Sequence, residues 1–505
     1  MNLHSLSLRN SQSCSYKDVP VVSIEELKGT IVSCVQEGKR LLAFFAQSTG
    51  EKEMQLYAVL GNDKLGTLSL LSAKVENSYP SITDQCAQAH WFEREIAENW
   101  GISPKNHPWL KPIRFIPSYR EGQDAWNRSK ENILPCVGDY YQVQGEEIHE
   151  VAVGPVHAGV IEPGHFRFQC HGEWVYHLEI SLGYQHRGIE KELKGGPTKR
   201  TLPYMETMAG DTSIGHSHAY LQMLESLANC QVSQRAQALR GIALELERLA
   251  NHTGDLGALA NDVGFLPTAN YCGRIRGDFL NMSALLCGSR FGRNFLKPGG
   301  VAFDLEDSRI KEFQTKLENA KKDVTVAAEL LLDSPSVLAR FEDTGVVSKE
   351  TARELGLVGV AARASGLSQD IRKDYPFGIF SSFSIPVAIY KKGDVFARAY
   401  VRWIEIQNSI AFIQSMLISM PKGKTQMPLS SLAPDKIVVS LTEGWRGEIC
   451  HVAKTDEKGQ FSWYKVCDPS FHNWMGLSMA LRNQQISDFP LCNKSFNLSY
   501  CGHDL

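Results

Sequence analysis

Apolar and polar positions near the start of the chain alternate between helical and strand spacing. Residues 23–37 place apolar side chains at helical intervals, and a second helical pattern covers residues 89–99. Between them, LLAFFAQS (residues 41–48) and MQLYAVLG (residues 54–61) have the composition of strands and are separated by turn residues. These patterns predict a small α+β domain over residues 20–116.

The rest of the chain contains a long helical pattern and a clear strand pair. LELERLANHTGDLGALANDVGF (residues 244–265) has the apolar spacing of a helix that ends toward Gly264. FRFQCHGEWVYHLEI (residues 166–180) alternates apolar and polar positions, which predicts two exposed antiparallel strands. Residues 117–150 are polar and weakly patterned, and we interpret them as a linker to a second domain at residues 151–505.

Composition narrows the class of protein. The chain has 505 residues, 43% of them hydrophobic and 22% charged, which is ordinary for a globular protein with more than one domain. Its net charge of −3 argues against nucleic-acid binding, which needs a concentrated basic face. No apolar run reaches the length of about 18 residues that a membrane span needs. Residues 1–19 lack the pattern of a signal peptide, so we expect a short tail, a cytoplasmic location and reduced cysteines.

Three segments of the second domain carry the candidate chemistry. They read GPVHAGVIEPGHFRF (residues 154–168), GYQHRGIEKEL (residues 183–193) and ETMAGDTSIGHSHAY (residues 206–220). Together they resemble the large subunit of membrane-bound (group 4) nickel–iron hydrogenases, the formate hydrogenlyase subunit 5 type, and its relative, the 49 kDa-type subunit of respiratory complex I. The resemblance implies a mainly α-helical domain with a small β platform.

The first domain resembles a different subunit. HWFEREIAENWGISPKNHPWLKPIRF (residues 90–115) is similar to the 30 kDa-type subunit of complex I. The resemblance implies a domain that docks neighbouring subunits and binds no cofactor. Its fusion to the second domain is typical of the hydrogenlyase branch.

The metal-binding cysteines of the hydrogenases are missing. Where those proteins have two thiolates in the third segment, this chain has Ala209 and Thr212, and the C-terminal pair corresponds to Ser499 and Gly502. None of these side chains is a thiolate, and no Cys-x-x-Cys occurs among the 12 cysteines, which argues against a nickel–iron centre. A cluster that Cys501 forms in space with another cysteine stays open beside the interpretation of buried, reduced residues.

Several polar residues remain where the relatives do their chemistry. The resemblance puts Glu162 at the position of a proton-relay glutamate and His157 at a quinone head-group pocket; the alternatives are a solvated turn carboxylate and a structural histidine. A glutamate in a buried cleft would have a raised pKa, which suits proton transfer. The candidate catalytic residues are therefore Glu162, His157, His165, Asp211 and His216, with Arg187 and His218 as candidate cofactor-binding residues.

A magnesium site is also implied. In the hydrogenases the glutamate equivalent to Glu190 helps to hold magnesium together with a C-terminal histidine, and His503 is the candidate here. The alternative for Arg187 and Glu190, three residues apart, is an ion pair on the surface.

The resemblance implies a soluble-arm core subunit of a hydrogenase-4-like or complex I-like membrane complex that couples electron transfer, with quinone as a candidate acceptor, to proton or ion translocation. Because the chain has no cluster motif, electrons would come through a small iron–sulfur subunit and another iron–sulfur subunit. Antiporter-like membrane subunits would hold it on the inner face of the cell membrane. Two alternatives stay open: a non-catalytic structural or assembly subunit, and a true nickel–iron hydrogenase.

Overall fold

The computed structural model describes residues 5–50, 53–134, 138–157 and 161–505. Its N-terminal part is a five-stranded sheet with a helix against it, followed by a second helix and a pair of short strands. The elements are β1 (Leu6–Leu8), β2 (Cys14–Ser15), β3 (Val21–Val22), α1 (Ile24–Gln36), β4 (Arg40–Ser48), β5 (Met54–Asn62), β6 (Thr67–Val75), β7 (Ser78–Pro80), α2 (His90–Trp100) and β8 (Ser103–Lys105). The helices and strands predicted for this part are confirmed.

Both faces of the N-terminal sheet are covered. Its antiparallel strands run in the order β1-β6-β5-β4, and β3 pairs in parallel with β6. α1 packs on one face, after Ser23 has capped its first turn by accepting the Glu26 N–H at 3.1 Å. The indole of Trp463, from the C-terminal part, packs 5.2 Å from the ring of Tyr57. This double cover explains why β5 is buried along nearly its whole length.

The C-terminal part contains most of the helices. Its elements are β9 (Ile148–Val153), β10 (His165–His171), β11 (Trp174–Ser181), α3 (Ile189–Glu192), α4 (Thr201–Glu206), α5 (Ser213–Leu227), α6 (Gln234–Asp262), α7 (Leu266–Cys287), β12 (Leu296–Lys297), β13 (Gly300–Val301), α8 (Asp307–Leu332), α9 (Pro335–Phe341), α10 (Lys349–Glu354), α11 (Gly359–Ala364), α12 (Ile371–Asp374), α13 (Val395–Ile418), β14 (Lys436–Glu443), β15 (Glu448–Thr455), β16 (Phe461–Cys467), α14 (Pro469–Ala480), β17 (Gln484–Gln485), α15 (Phe489–Phe496) and α16 (Tyr500–His503). α6 is central and packs against α7 and α13.

The predicted strand pair is confirmed as β10 and β11, antiparallel, with Phe166 opposite Ile180. With β9 and β17 they form a four-stranded platform. The pair is less exposed than its alternation predicts. Phe489 packs 4.7 Å from the ring of Phe166 and 4.9 Å from that of Phe168, and both rings on the strand are fully buried.

The predicted N-terminal tail contributes two strands. β1 joins the N-terminal sheet, whereas β2 pairs with β14 in a second four-stranded sheet, where Cys14 lies opposite Ile437. The side-chain amide of Asn10 holds this segment in place: its Nδ2 donates to the Leu441 carbonyl at 3.0 Å and its Oδ1 accepts the Leu441 N–H at 2.8 Å. An amide side chain thus replaces one peptide unit of a strand.

The two parts share one hydrophobic core. Arg40 of β4 pairs with Glu448 of β15 at 2.8 Å, and the hydroxyl of Tyr375 donates to Asp63 at 3.0 Å. The boundary at residues 117–150 therefore stays a prediction. No helix in the described ranges is both long and apolar enough to cross a bilayer.

Candidate functional site

Four segments that are distant in sequence meet beside α16, and we call the place where they meet the tail site. They are the β9–β10 connection, residues 206–213 before and into α5, the turn between β14 and β15, and residues 497–505. The tail site brings Glu162 and Thr212, two of the residues singled out in the sequence, close to the C-terminal tail. Residues 158–160 of the β9–β10 connection lie outside the described ranges.

Glu162 is partly buried and contacts the tail directly. Its Oε2 accepts the backbone N–H of Tyr500 at 3.1 Å. The Cys501 thiol lies beside this carboxylate and 3.4 Å from the hydroxyl of Ser499. Burial and the negative charge of Glu162 raise the pKa of the Cys501 thiol, so the thiol stays protonated at neutral pH.

Arg446 crosses the tail site from the β14–β15 turn. Its Nη1 donates to the Gly210 carbonyl at 2.5 Å and lies 3.4 Å from the hydroxyl oxygen of Thr212, while its Nε donates to the Asn497 carbonyl at 2.6 Å. The indole of Trp445 lies 3.9 Å below the guanidinium carbon, which adds a cation–π contact. A permanent cation therefore joins the segment before α5 to the C-terminal tail.

A buried chain of hydrogen bonds lies behind the tail site. Asp468, which caps α14, has its Oδ2 3.0 Å from Nε2 of His216. Nδ1 of His216 lies 3.0 Å from Nε2 of His451, and Nδ1 of His451 lies 2.7 Å from the hydroxyl of Tyr464. All four side chains are at most 1% exposed. We call these four residues the relay.

One set of tautomers satisfies every atom of the relay. Tyr464 donates its hydroxyl proton to His451, which donates Nε2–H to His216, and His216 donates Nε2–H to Asp468. Burial lowers the pKa of His451 well below its ordinary value, so His451 is neutral. Burial disfavours the Asp468 carboxylate, but the hydrogen bonds that it accepts from His216 and the Ser470 N–H, together with the positive charge of Arg446, outweigh burial and lower the pKa of Asp468. All bonds therefore point toward one anionic end.

His157 and His165 close the base of the β9–β10 connection. Nε2 of His157 lies 2.9 Å from the Gly164 carbonyl, and Nδ1 of His165 lies 3.2 Å from the Gly154 carbonyl. Burial lowers the pKa of His165, so it is neutral at pH 7. Both rings bind the backbone across this connection, which sets the path of the chain that carries Glu162.

Asp211 and Arg187 hold the segment before α5 from two sides. Asp211 pairs with Arg276 of α7 at 2.7 Å. Arg187 donates to the carbonyls of Thr207 and Met208 at 3.0 and 2.7 Å. Within the described ranges, Arg187 therefore binds backbone and forms no ion pair with Glu190, which corrects the surface-pair alternative.

His218 lies apart from the tail site, two residues beyond His216 on α5. Its ring is buried and packs 5.2 Å from Phe377, beside Gly378. Burial lowers its pKa to about 3. The neutral ring sits in an apolar setting in this structure, and its role as a cofactor-binding residue stays a prediction.

Comparisons with known proteins match both parts of the chain. The family model "Respiratory-chain NADH dehydrogenase, 49 Kd subunit" matches residues 262–436, and "Respiratory-chain NADH dehydrogenase, 30 Kd subunit" matches residues 29–124. Formate hydrogenlyase subunit 5 of Escherichia coli (strain K12) is 28% identical over 88% of this chain and 81% of its own length. The carbon monoxide-induced hydrogenase of Rhodospirillum rubrum is 31% identical over 69% of this chain and 97% of its own length.

The chain belongs to the family of complex I 49 kDa subunits and group 4 hydrogenase large subunits. A 30 kDa-type domain precedes the 49 kDa-type part in the same chain. NADH-quinone oxidoreductase subunit 4 of Thermus thermophilus is 29% identical over 68% of this chain and 90% of its own length. The α+β fold and the fusion expected from the sequence are confirmed.

The hydrogenase metal centre of this family does not fit the residues present. Ala209 and Thr212 offer no thiolate, and neither does Ser499, whose hydroxyl caps α16 by accepting the Gly502 N–H at 2.9 Å. A side chain at Gly502 would start only 2.6 Å from the Asp468 carboxyl carbon. The Asp468 carboxylate therefore occupies the space that a side chain at position 502 would need.

The magnesium site of the family does not fit either. Oε1 of Glu190 lies 2.9 Å from the Lys465 ammonium, and Nδ1 of His503 lies 2.8 Å from Asp504. In the described part of the chain, no three His, Cys, Asp or Glu residues are grouped so that they could hold a metal ion. Glu190 and His503 are both engaged in the interior, and the ammonium group takes the carboxylate oxygen that a metal would need.

Sequence reasoning missed the relay partners of His216 and one buried carboxylate. Arg446 and His451 lie in TEGWRGEICH, which matched the family without a role being assigned. Glu247 of α6 accepts the N–H groups of Ile214 and Gly215 at 2.6 and 3.2 Å, and burial raises its pKa to about 8. Only the contact between α6 and the start of α5 reveals that Glu247 is buried, since the sequence pattern of α6 is also compatible with a glutamate on the surface.

Proposed function

We propose that this chain is the soluble-arm core subunit of a membrane-bound complex of the hydrogenase-4-like or complex I-like type, working without a nickel–iron centre. The observation that carries the proposal is the path of Arg446, whose guanidinium joins Gly210 and Thr212 to the tail at Asn497. A permanent cation between these segments repels a metal ion. It also favours an anion, such as a carboxylate or a reduced acceptor, beside it.

The chemistry that we propose for this chain is proton handling coupled to electron transfer. Glu162 is the group that exchanges protons, because it keeps some exposure and contacts the tail directly, whereas the other partly exposed carboxylate of the tail site, Asp211, is paired with Arg276. The relay ends at Asp468, which lies against Gly502 on the inner side of the same tail. A proton held at Glu162 and the aligned hydrogen bonds of the relay together compensate the negative charge of a nearby reduced group.

The electrons come from partner subunits in this proposal. We propose a small iron–sulfur subunit and a second iron–sulfur subunit as donors, and antiporter-like membrane subunits that hold the chain peripherally on the inner face of the cell membrane. Support comes from the relatives, which are named as subunits of NADH-quinone oxidoreductase and formate hydrogenlyase. A quinone-type acceptor agrees with the complex I relatives. The resemblance to complex I implies a quinone-site tyrosine in the segment equivalent to residues 208–213, and this chain has none there, so such an acceptor would be held differently here.

The test is to purify the assembled complex through a tag on this chain and to measure nickel, iron and acceptor reduction together. We expect iron from the partner clusters, no nickel, an intact mass that includes Leu505, and reduction of a quinone analogue. Stoichiometric nickel would overturn the proposal in favour of a hydrogenase. A complex that contains reducible clusters but reduces no acceptor would instead establish a structural subunit.

A further inference from the structure

Four buried charged residues meet where the N-terminal part, the C-terminal part and the tail come together. They are Glu95 of α2, Arg114 beyond β8, Glu190 of α3 and Lys465 of β16, and we call them the junction cluster. The ammonium of Lys465 lies 2.7 Å from Oε2 of Glu95 and 2.9 Å from Oε1 of Glu190. Nη1 of Arg114 lies 2.8 Å from Oε1 of Glu95. The cluster thus contains two anions and two cations.

The same cluster holds the C-terminal tail. Nε and Nη2 of Arg114 donate to the His503 carbonyl at 3.0 and 2.7 Å. The carboxylate of Asp504 accepts the N–H groups of Gly183 and Gln185 at 2.9 and 3.0 Å, beside its bond to His503. The tail is therefore attached to both parts of the chain through polar groups that are largely buried.

The cations of the cluster are charged at neutral pH. Burial disfavours the ammonium form, but the carboxylates of Glu190 and Glu95 outweigh burial and raise the pKa of Lys465. Burial also disfavours the Glu95 carboxylate, but Lys465 and Arg114 lower its pKa to about 2. The Lys465 ammonium and the Arg114 guanidinium therefore contact the side chains of Glu95 and Glu190 in a protein interior, where burial raises the pKa of Glu190 and each charge depends on its partners.

We infer that Lys465 and Arg114 replace a divalent cation at this junction, so that the C-terminal tail is held against both parts of the chain without a metal. Their two charges equal those of one magnesium ion. They occupy a Glu190 oxygen and the His503 carbonyl, the hard oxygen atoms that magnesium would take. Nε2 of His503 has no hydrogen-bond partner among the described residues, but its ring packs between those of Trp91 and Phe471. A single nitrogen in an aromatic setting is a poor magnesium ligand.

A metal in solution could reach this place, which makes the inference testable. A cleft of about 930 Å³ between the two parts is lined by Glu95, Glu190 and Lys465. Magnesium and chelators can enter a cleft of that size. The inference concerns closure of the tail and does not depend on the proposed electron-transfer function.

The experiment compares the full-length protein with Lys465→Met, which removes the charge and keeps most of the side-chain length. The control is Lys194→Met, an exposed lysine at the rim of the same cleft. The rate at which carboxypeptidase releases the last residues, followed by intact mass, reports how firmly the C-terminal tail is held. We expect release from Lys465→Met to be at least about tenfold faster than from wild type, because it leaves a buried carboxylate unpaired. EDTA or millimolar magnesium should change nothing in wild type.

A second variant separates charge replacement from a general loss of folding. Glu190→Gln combined with Lys465→Met removes one anion with one cation and leaves Glu95 paired with Arg114. We expect this double variant to recover much of the protection that Lys465→Met loses. The inference is overturned if EDTA opens the wild-type tail, if purified wild type contains one magnesium, or if Lys465→Met behaves like Lys194→Met. It is also overturned if the double variant is no better protected than Lys465→Met.

Discussion

At the scale of single residues, the tail site combines a group that we propose for proton exchange with groups that supply charge and hydrogen bonds. Glu162 keeps partial exposure and accepts a hydrogen bond from the Tyr500 N–H, and it is the residue that we propose for proton exchange. Arg446 donates hydrogen bonds to the Gly210 and Asn497 carbonyls on the two sides of the tail site. The buried relay keeps His451 neutral and its charge at Asp468. Proton exchange and charge compensation are therefore assigned to different side chains.

Glu162→Gln keeps the volume and the hydrogen bond to Tyr500 but cannot exchange a proton. We expect turnover of the intact complex to fall roughly 100-fold, the scale for losing a positioned acid–base group, with assembly and cluster content unchanged. Glu173→Gln, an exposed carboxylate in the β10–β11 turn, is the control and should have wild-type turnover. Wild-type turnover of Glu162→Gln between about pH 6 and 8 would show that Glu162 is only a turn residue.

Tyr464→Phe removes the first donor of the relay and leaves Nδ1 of His451 without its partner. We expect the free energy of unfolding to fall by about 1–3 kcal/mol, the cost of an unsatisfied buried group. Chemical denaturation measures it, with the exposed Tyr176→Phe as control. Equal stability of the two variants would mean that the relay is not held by hydrogen bonds at this end.

Glu247 should make stability depend on pH. Its pKa is about 8 in the folded chain, against about 4.5 when unfolded, so folding favours the protonated form. Its contribution is fully present below pH ~4.5 and is lost as pH rises toward pH ~8. As pH rises between these limits, we expect the free energy of unfolding of wild type to fall by a few kcal/mol relative to that of Glu247→Gln. Parallel pH profiles of the two proteins in denaturant titrations would contradict the assignment.

At the scale of elements, helices and strands with regular apolar spacing were predictable, as were several residues of the tail site, but the contacts that join these residues were not. α1 follows its pattern because one periodic face meets a core, whereas β4 and β5 were recognisable as short apolar runs that are buried nearly throughout. β1 and β2 were missed because each is a short strand paired with a distant one. The relay was missed because Asp468, His451 and Tyr464 come from separate elements, and each polar residue looks isolated in its own segment.

The short helix α16 depends on a glycine. A Cβ at Gly502 would lie 2.6 Å from the Asp468 carboxyl carbon, so Gly502→Ala should lower the free energy of unfolding by about 1–3 kcal/mol through overpacking. Gly210→Ala is the matched control, because its Cβ would enter open space. Thermal unfolding of both variants measures the difference. A Gly502→Ala variant as stable as Gly210→Ala would place the tail farther from the relay.

At the scale of the whole molecule, the two parts act as one structural unit. They share one core and are joined by Arg40 with Glu448 and by the junction cluster. Calorimetry should therefore show one cooperative transition, with equal calorimetric and van't Hoff enthalpies. Two resolved transitions would show that the 30 kDa-type part unfolds independently. Deleting that part should accordingly unfold the remainder rather than release an intact second domain.

The pairing of β2 with β14 also has a consequence for synthesis. Cys14 contacts the Ile437 carbonyl across 423 residues of sequence. A ribosome that adds about 5–20 residues per second needs roughly 20–85 s to make the intervening chain. During that time β2 has no partner strand, because β14 has not yet been synthesised. The pairing of β2 with β14 can therefore form only after most of the chain has been made, whereas β1 meets its partner β6 early in synthesis.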